Sequence, residues 1–142
     1  MLIKPLPDNM MVFEAIIIGP DDTEWEGGIF KLMMEFGAKF PTEPPKVRFL
    51  TQMFHPNIYM NGQICLDILD KAWSPLYDCT SILTQIQSLL TDPNPDSPAN
   101  NEAASLFTQH VQQLKVEKTA AYNSEYVKRV RQCVHNSWIN TH

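Results

Sequence analysis

Residues 54–69, FHPNIYMNGQICLDIL, bring together side chains that could do chemistry. His55, Asn57 and Cys65 lie within eleven positions, and an Asn-Gly dipeptide between them predicts a tight turn, because both residues tolerate positive φ. Four interpretations of the thiol follow: a buried structural group, a metal ligand, a protease nucleophile, or a carrier that holds an acyl group as a thioester.

The structural and metal interpretations are the weaker ones for Cys65. A free cysteine is most often a small buried apolar residue, and Cys79 and Cys133, which lie within helical patterns, are predicted to be of that kind. Cys65 instead lies in an irregular segment between predicted strands and a helix, where functional groups tend to occur. The chain has no CxxC pair, and His55 is the only histidine near Cys65, so we expect no metal site.

The protease and carrier interpretations differ in what must stand beside the thiol. A cysteine protease needs a histidine base with an orienting group behind it, and spacing alone leaves His55 open as that base. A thioester carrier needs an accessible thiol, no strong base that would promote hydrolysis, and a donor for the oxyanion when an amine attacks. Asn57 is a neutral amide donor near Cys65, although an Asx-type turn after Pro56 would explain it equally well.

The elements that must position these groups divide the chain into two parts. All 5 glycines and all 11 prolines precede residue 99, so the first part is rich in turns. Residues 12–19, 29–36 and 46–50 read as strands from their β-branched content or apolar alternation. Their short connections imply an antiparallel meander, with the cysteine segment directly after it.

The second part of the chain is predicted to be helical. Apolar residues at helical spacing indicate a helix over 78–92, capped by Asp78 or Thr80, and the prolines of 93–98 end it. Helical periodicity then dominates from Ala99 onward. A last helix, capped by Asn123 or Ser124, is predicted to pack a single core stripe; the members of that stripe are Val127, Val130, Val134 and Trp138. The fold class is therefore α+β, an antiparallel meander sheet followed by an irregular active-site segment and C-terminal helices.

Composition limits the class of function. A length of 142 residues predicts one domain over 1–142, and a formal net charge of −5 argues against a direct nucleic-acid partner. No apolar run approaches the ~18 residues of a membrane span, and the N-terminus lacks a signal-peptide pattern, so we expect no membrane partner. An odd number of cysteines without a secretion signal fits a reducing compartment, which predicts a cytoplasmic or nuclear location.

Several motifs together resemble the ubiquitin-conjugating enzymes. They are HPNIYMNGQICLDIL with WSP eight residues after the cysteine, DPNPDSPAN downstream, and the upstream patterns GP…W.GG.F and FPTEPPKVRF. The resemblance covers nearly all of residues 11–106 and resumes over about 124–138. MFHPN, SILTQIQSLL and PNPDSPAN are most similar to the branch of the family that serves DNA-damage tolerance and histone ubiquitination.

The resemblance implies a fold, an activity and partners. Cys65 would accept the C-terminal glycine of ubiquitin from an activating enzyme as a thioester, and a substrate lysine presented by a RING-type ligase would attack it. The chain itself would need no cofactor, because ATP is used by the activating enzyme and the sequence has no phosphate-binding loop. The alternative is a non-catalytic or poorly charged ubiquitin-binding scaffold of the same fold.

The resemblance also implies roles for residues around the thiol. Asn57 would stabilise the oxyanion or hold the active-site loop, and His55 and Pro56 would support that loop. Ser97 occupies the gate position opposite the cysteine, where many relatives carry Asp. Asp67 would contact the ubiquitin tail or polarise the site.

A ligase surface is implied on two loops, above Trp73, which is expected to pack beneath them. The surface residues are Pro41 and Thr42 from the first loop, and Ser74, Pro75 and Leu76 from the second. Relatives often carry Phe at position 42. Since a buried aromatic anchor is a typical hot spot, the threonine is expected to change the choice of ligase.

Two departures from the family pattern stand out. The family normally begins with an amphipathic helix of roughly three to four turns, whereas this sequence starts at about the first strand, which predicts weakened charging and some exposed apolar surface. Residues 108–123 are longer than the equivalent connection by about a dozen residues. A partner site is one interpretation of this extension, and an insertion that a surface connection tolerates is the one we favour. The extension has no helix breaker, so we expect a longer helix or an added turn there.

Overall fold

The strands form one antiparallel sheet whose neighbours follow chain order. The computed structural model describes residues 2–6 and 9–139, with side chains over 11–119 and 121–139. The strands are β1 (Leu2–Leu6), β2 (Asn9–Ile18), β3 (Ile29–Glu35) and β4 (Lys46–Phe49), in the order β1-β2-β3-β4. The predicted meander is therefore confirmed, with β1 added at the edge.

Strand β1 was absent from the sequence prediction because its composition is a poor strand signal. Pro5 lies within it and pairs with Phe13 of β2. Proline has no N–H to donate to a ladder, so within sheets it is confined to edge strands, strand starts and bulges. The edge position of β1, and a register irregularity directly after Pro5, fit that restriction.

The alternation predicted for β3 sets the buried face of the sheet. Phe30, Leu32 and Met34 are fully buried, while Ile29, Lys31 and Met33 remain partly accessible. The ladder places Phe30 beside Ile17 and Leu32 beside Ala15, both of which are also fully buried. This apolar face supports the helices that follow.

Helix α1 (Cys79–Thr91) confirms the predicted helix and one of its two candidate caps. Asp78 is the N-cap, and its Oδ1 accepts a hydrogen bond from the Ser81 N–H at 2.8 Å. All five apolar residues that carried the prediction are buried; they are Ile82, Leu83, Ile86, Leu89 and Leu90. The helix lies on the sheet beside β2, where the Gln87 side chain donates to the Ile18 carbonyl at 2.9 Å.

The remaining helices are α2 (Asn101–Val116), the short α3 (Lys118–Ala121) and α4 (Glu125–Ile139). The expected longer helix over 108–123 is confirmed, since α2 continues to Val116 and α3 adds a further turn. His110 on α2 and Ser124 before α4 are buried, and His110 Nδ1 lies 2.8 Å from Ser124 Oγ. Ser124 Oγ also accepts from the Val127 N–H, so Ser124 is the cap of α4.

The core stripe predicted for α4 is partly wrong. Val130 and Val134 are buried as expected, but Trp138 is 53% exposed and Val127 only half-buried. The remaining buried positions of the helix are Tyr126, Cys133 and Ser137. Tryptophan carries a polar N–H on an apolar ring, which suits it to a rim position, and the Trp138 indole N–H donates to the Gly27 carbonyl.

Candidate active site

Cys65 is positioned by a tight hairpin-like turn. Gly62 has φ of 91°, and an added Cβ there would lie 2.0 Å from the Phe49 carbonyl oxygen, so the position favours glycine. Ile58 and Ile64 form an antiparallel bridge across the turn, and the Cys65 N–H donates to the Asn57 carbonyl at 2.8 Å. The turn therefore places the backbone of Asn57 beside the backbone of Cys65.

His55 is fully buried, and both of its ring nitrogens are occupied. Nε2 lies 2.7 Å from the Leu89 carbonyl oxygen, and Nδ1 accepts from the Asn57 N–H at 3.0 Å. A carbonyl can only accept and a backbone N–H can only donate, so the partners define a neutral ring protonated on Nε2. Burial lowers the pKa of His55 from 6.5 to about 4. Neither nitrogen is free to take a proton from Cys65.

Asn57 uses its whole side-chain amide to hold a second loop. Its Nδ2 donates to the carbonyls of Asn94 at 2.7 Å and Ser97 at 3.0 Å, and its Oδ1 accepts from the Asn94 N–H at 2.8 Å. The residue is 1% exposed. An amide has only two N–H donors, so Asn57 would have to give up one of these bonds before it could donate to an oxyanion.

Pro56 completes the attachment of the two segments. Its carbonyl accepts from the Ala99 N–H at 2.7 Å and from the Asn100 N–H at 3.1 Å. Asn100 is in turn the cap of α2, through a bond from the Ala103 N–H. The start of α2 and the loop before it are thereby tied to the His55–Asn57 segment, which we call the clamp (residues 55–57).

On its other side Cys65 faces an open groove of about 600 Å³. Cys65 is half-buried, and among the described residues no histidine lines the groove; the other ionisable side chains there are Tyr59, Asp67, Asp70 and Lys71. Asp67, at the start of a 3-10 turn (Asp67–Leu69), and Ser97 are both exposed along its walls. The structure thus brings together Cys65, Asp67 and Ser97, which the sequence analysis had selected from segments 30 residues apart.

The two loops selected as a ligase surface lie side by side. The Trp73 indole N–H donates to the Pro41 carbonyl at 2.9 Å, and the half-buried Trp73 ring lies 6.2 Å from that of Phe40. Thr42 and Pro75 are exposed, Ser74 is half-buried, and its Oγ accepts from the Leu76 N–H. Leu76 is 92% exposed, a large apolar side chain held out to solvent.

Sequence analysis missed the partners of the clamp. Asn94 bonds to Asn57 in both directions, and the Leu89 carbonyl accepts from His55. Asn94 stands between two prolines, a context that indicates a fixed turn and could have drawn attention to it. Leu89 offers only a main-chain carbonyl, so no side-chain pattern could have selected it.

Residues 11–119 and 121–139 contain no group of three or more His, Cys, Asp or Glu side chains that could hold a metal ion. None of the helices described within 2–6 and 9–139 is long and apolar enough to cross a membrane.

A thiol at an open groove, with the ring of the nearby His55 fully bonded, fits a thioester carrier better than a cysteine protease, which needs a free histidine base. Comparison with known proteins identifies the family to which this chain belongs. The ubiquitin-conjugating enzyme family matches residues 1–123. Ubiquitin-conjugating enzyme E2 2 of Saccharomyces cerevisiae is 56% identical over 135 residues, which cover 95% of this chain and 72% of the relative.

Further relatives agree. Ubiquitin-conjugating enzyme E2 2 of Eremothecium gossypii has the same identity and coverage, and that of Trichoderma harzianum is 51% identical over 135 residues, 95% of this chain and 82% of the relative. The chain belongs to the ubiquitin-conjugating enzyme family, as its motifs predicted, and it is a cysteine-thioester ubiquitin transferase. Membership implies ubiquitin, an activating enzyme and a ligase as partners. These three relatives share one name, Ubiquitin-conjugating enzyme E2 2.

Proposed function

We propose that Cys65 is the residue that carries ubiquitin and that the groove beside it receives the ubiquitin tail and the attacking lysine. The observation that carries this proposal is that Cys65 is open to a groove while the nearby histidine is not. Cys65 opens onto a groove of about 600 Å³, whereas the one histidine near it is buried with both nitrogens bonded. Without a histidine base to activate water, a thioester in the groove is protected from hydrolysis and remains available to an amine.

The reaction proceeds in two acyl transfers. In the first, the Cys65 thiolate attacks the thioester of the charged activating enzyme, and the sulfur of that enzyme leaves as a thiolate. In the second, a neutral lysine amine attacks the carbonyl on Cys65. An amide bond forms, the C–S bond breaks, and the nitrogen loses a proton to solvent while the Cys65 sulfur leaves.

The residues around Cys65 have different roles in this proposal. Asn57, together with His55 and Pro56, holds the loop of Asn94 and Ser97 at the groove, which its three side-chain bonds support. Ser97 lies where its hydroxyl can accept from the incoming amine. Asp67 presents a carboxylate to the groove that favours a cationic amine before proton loss.

We infer that the partner ligase is of the RING type and binds the two-loop surface. The bond from the Trp73 indole N–H to the Pro41 carbonyl joins the two loops. This supports a single surface made of Pro41, Thr42, Ser74, Pro75 and Leu76. The fully projecting Leu76 is suited to an apolar pocket on the partner. Thr42 supplies no aromatic anchor, so Leu76 carries the larger share of the apolar contact.

No cofactor is needed by this chain, because thiol and amine supply the reacting atoms and ATP is used by the activating enzyme. We propose that it acts in the cytoplasm or nucleus, without a direct nucleic-acid or membrane partner, in DNA-damage tolerance or histone ubiquitination. Its net charge of −5 supports the absence of direct DNA binding.

A charging assay tests the assignment of Cys65. The protein is mixed with activating enzyme, ATP and ubiquitin, and the products are separated with and without a reducing thiol. We expect a band that the thiol removes, complete loss of that band in Cys65→Ala, and retention in Cys79→Ala, whose thiol lies half-buried at the start of α1.

A Cys65→Ser variant sharpens the assay. The hydroxyl can form an oxygen ester that resists the thiol reagent, so the band should persist after reduction. Charging that survives in Cys65→Ala would show that another residue carries ubiquitin, and an uncharged wild-type chain would contradict the proposal altogether.

A further inference from the structure

The turn that precedes Cys65 places a side-chain amide beside a main-chain nitrogen that can attack it. Asn61 is exposed, and the residue after it is Gly62, which has no Cβ to shield its nitrogen. This is the only Asn-Gly pair in the sequence. The Asn61 Oδ1 accepts from the Gln63 N–H at 3.0 Å, which is an Asx turn. An Asx turn folds the side chain back along the main chain and so keeps the amide carbon close to the next nitrogen.

The surroundings of the Asn61 amide favour attack on its carbon. The N–H that bonds to Oδ1 stabilises the negative charge that this oxygen gains when a nucleophile adds, as a donor in an oxyanion hole does. The preceding residue, Met60, is 73% exposed. Hydroxide and water therefore reach the amide directly from solvent.

One hydrogen bond of the turn restrains the nucleophile. The Gly62 N–H donates to the Tyr59 carbonyl at 2.9 Å, and the Tyr59 N–H donates to the Gln63 carbonyl at 2.9 Å. The Gly62 nitrogen cannot attack while its proton is in this bond, so the turn must first open. Local opening of a surface turn costs less free energy than global unfolding. The reaction is therefore slowed by the turn but still proceeds in the folded protein.

We propose that Asn61 is a deamidation site, and that its iso-aspartyl product displaces Cys65 and ends charging. The inference rests on the proposed function, because the activity that is lost is thioester formation on Cys65. Hydroxide takes the Gly62 amide proton, and the nitrogen attacks the side-chain carbonyl carbon of Asn61. The new C–N bond closes a succinimide ring, the bond to Nδ2 breaks, and ammonia leaves with a proton from water. Water then adds to either ring carbonyl and breaks one C–N bond, which leaves an aspartyl or an iso-aspartyl linkage.

The iso-aspartyl linkage does not fit beneath the turn. It routes the main chain through the Cβ of Asn61 and so adds one backbone atom before Gly62. Gly62 is buried against β4, where its carbonyl accepts from the Phe49 N–H at 2.8 Å. A Cβ on Gly62 would lie 2.0 Å from the Phe49 carbonyl oxygen, so there is no free space on that side. The longer chain must therefore shift the residues that follow the turn.

This shift reaches the thiol because the segment between the turn and Cys65 is short. The bridge between Ile58 and Ile64 comes first, and the bond from the Cys65 N–H to the Asn57 carbonyl follows it. One added atom is less than a whole residue, so a slip in register cannot restore this pairing. The aspartyl product keeps the original chain length and the oxygen that accepts from the main chain, so it retains charging.

Prolonged incubation of the full chain tests this inference. The folded protein is kept in mildly alkaline buffer, and peptide mapping separates the asparaginyl, aspartyl and iso-aspartyl forms in samples taken over days. We expect conversion at Asn61, while Asn136, an exposed asparagine followed by serine within α4, stays unchanged. The same samples are charged with fresh activating enzyme, ATP and ubiquitin. The loss of charging should equal the iso-aspartyl fraction, and conversion should be faster in denaturant.

Matched variants separate the added backbone atom from the added charge. Freshly purified Asn61→Asp carries the charge on an unchanged backbone, so it should charge as the fresh wild type does. Asn61→Gln keeps an amide but would need a larger ring to react, so its charging should persist through the incubation. Asn136→Gln should lose charging at the wild-type rate.

The outcomes separate this inference from the function on which it rests. A folded chain in which Asn61 does not convert ahead of Asn136 overturns the site, and equal rates with and without denaturant contradict the restraint by Tyr59. Conversion without loss of charging, or a fresh Asn61→Asp that does not charge, overturns the effect of the iso-aspartyl linkage. All of these results leave Cys65 as the carrier. A fresh wild-type chain that never charges contradicts the role of Cys65 instead, while peptide mapping still shows whether Asn61 deamidates.

Discussion

The two sides of Cys65 are built in opposite ways. On one side, the clamp residues His55 and Asn57 are buried and every polar atom of their side chains has a hydrogen-bond partner. On the other, the groove residues Asp67, Lys71 and Ser97 are exposed and directed to solvent. The clamp fixes the position of the thiol and removes the nearest base from reach, while the groove leaves room for two large reactants.

The comparison predicts that changes in the clamp affect folding and that changes in the groove affect chemistry. The largest expected effect concerns the protonation of His55, whose folded-state pKa of about 4 lies below its ordinary value of 6.5. Between these values the unfolded chain binds more protons than the native protein, so stability is lost as the pH falls from about 6.5 to 4. One such group contributes at most about 3 kcal/mol over this window.

Denaturant unfolding across this pH window checks the prediction. His55→Gln removes the titrating group and should flatten the dependence of unfolding free energy on pH. His135→Gln, a change at an exposed position on α4, should leave it as in the wild type. If His55→Gln and wild type show equal slopes, the burial of a neutral His55 is contradicted.

The next effect concerns Asn57. Replacement by Ala leaves the Asn94 N–H and the carbonyls of Asn94 and Ser97 without their partner, which is expected to cost about 2 kcal/mol of unfolding free energy. Asn136→Ala, at an exposed position of α4, should change stability by less than about 0.5 kcal/mol. Unfolding curves measure both.

The same Asn57→Ala variant distinguishes loop support from oxyanion stabilisation. Loop support predicts lower stability together with slower transfer, because the groove wall at Asn94 and Ser97 loosens. Slower transfer at wild-type stability would instead favour a direct catalytic role for Asn57. It would also contradict the expectation that the clamp acts on folding and only the groove acts on chemistry.

The smallest effect belongs to the groove. Ser97→Ala removes one exposed hydroxyl, so stability should change by less than about 0.5 kcal/mol. Loss of one hydrogen bond to the incoming amine should slow discharge to free lysine by no more than about tenfold, equivalent to about 1.4 kcal/mol. Single-turnover discharge at saturating lysine measures this rate, and a destabilised Ser97→Ala would show that the groove wall is structural too.

The sequence predicts the open side of the site better than the clamp. Cys65, Asp67 and Ser97 belong to side-chain motifs, and the structure brings them to one groove. The Asn57 contacts could not be predicted from pattern, because two of the three go to carbonyls about 40 residues away, and a carbonyl is common to every residue. The sequence alone therefore leaves both candidate roles for Asn57 open.

In the fold, too, the elements marked by apolar periodicity could be predicted, and those that depend on tertiary contacts could not. Strands β2 to β4 and helix α1 follow from apolar periodicity, and the structure confirms them. Strand β1 did not follow, because Pro5 weakens the local signal and only pairing with β2 makes it a strand. Trp138 was assigned to the core by spacing, whereas the rotation of α4 that exposes it depends on packing against β3.

The contact between His110 and Ser124 has a consequence for how this chain can change. The segment between them begins and ends at adjacent points, which the buried 2.8 Å contact of His110 Nδ1 with Ser124 Oγ joins. Leu114, Val116 and Tyr122 project from this excursion into solvent. Residues 112–119 are exposed, whereas Ala121 is fully buried. The length and composition of 112–119 can therefore vary with little effect on the groove, and a peptide or a reporter domain can be inserted there.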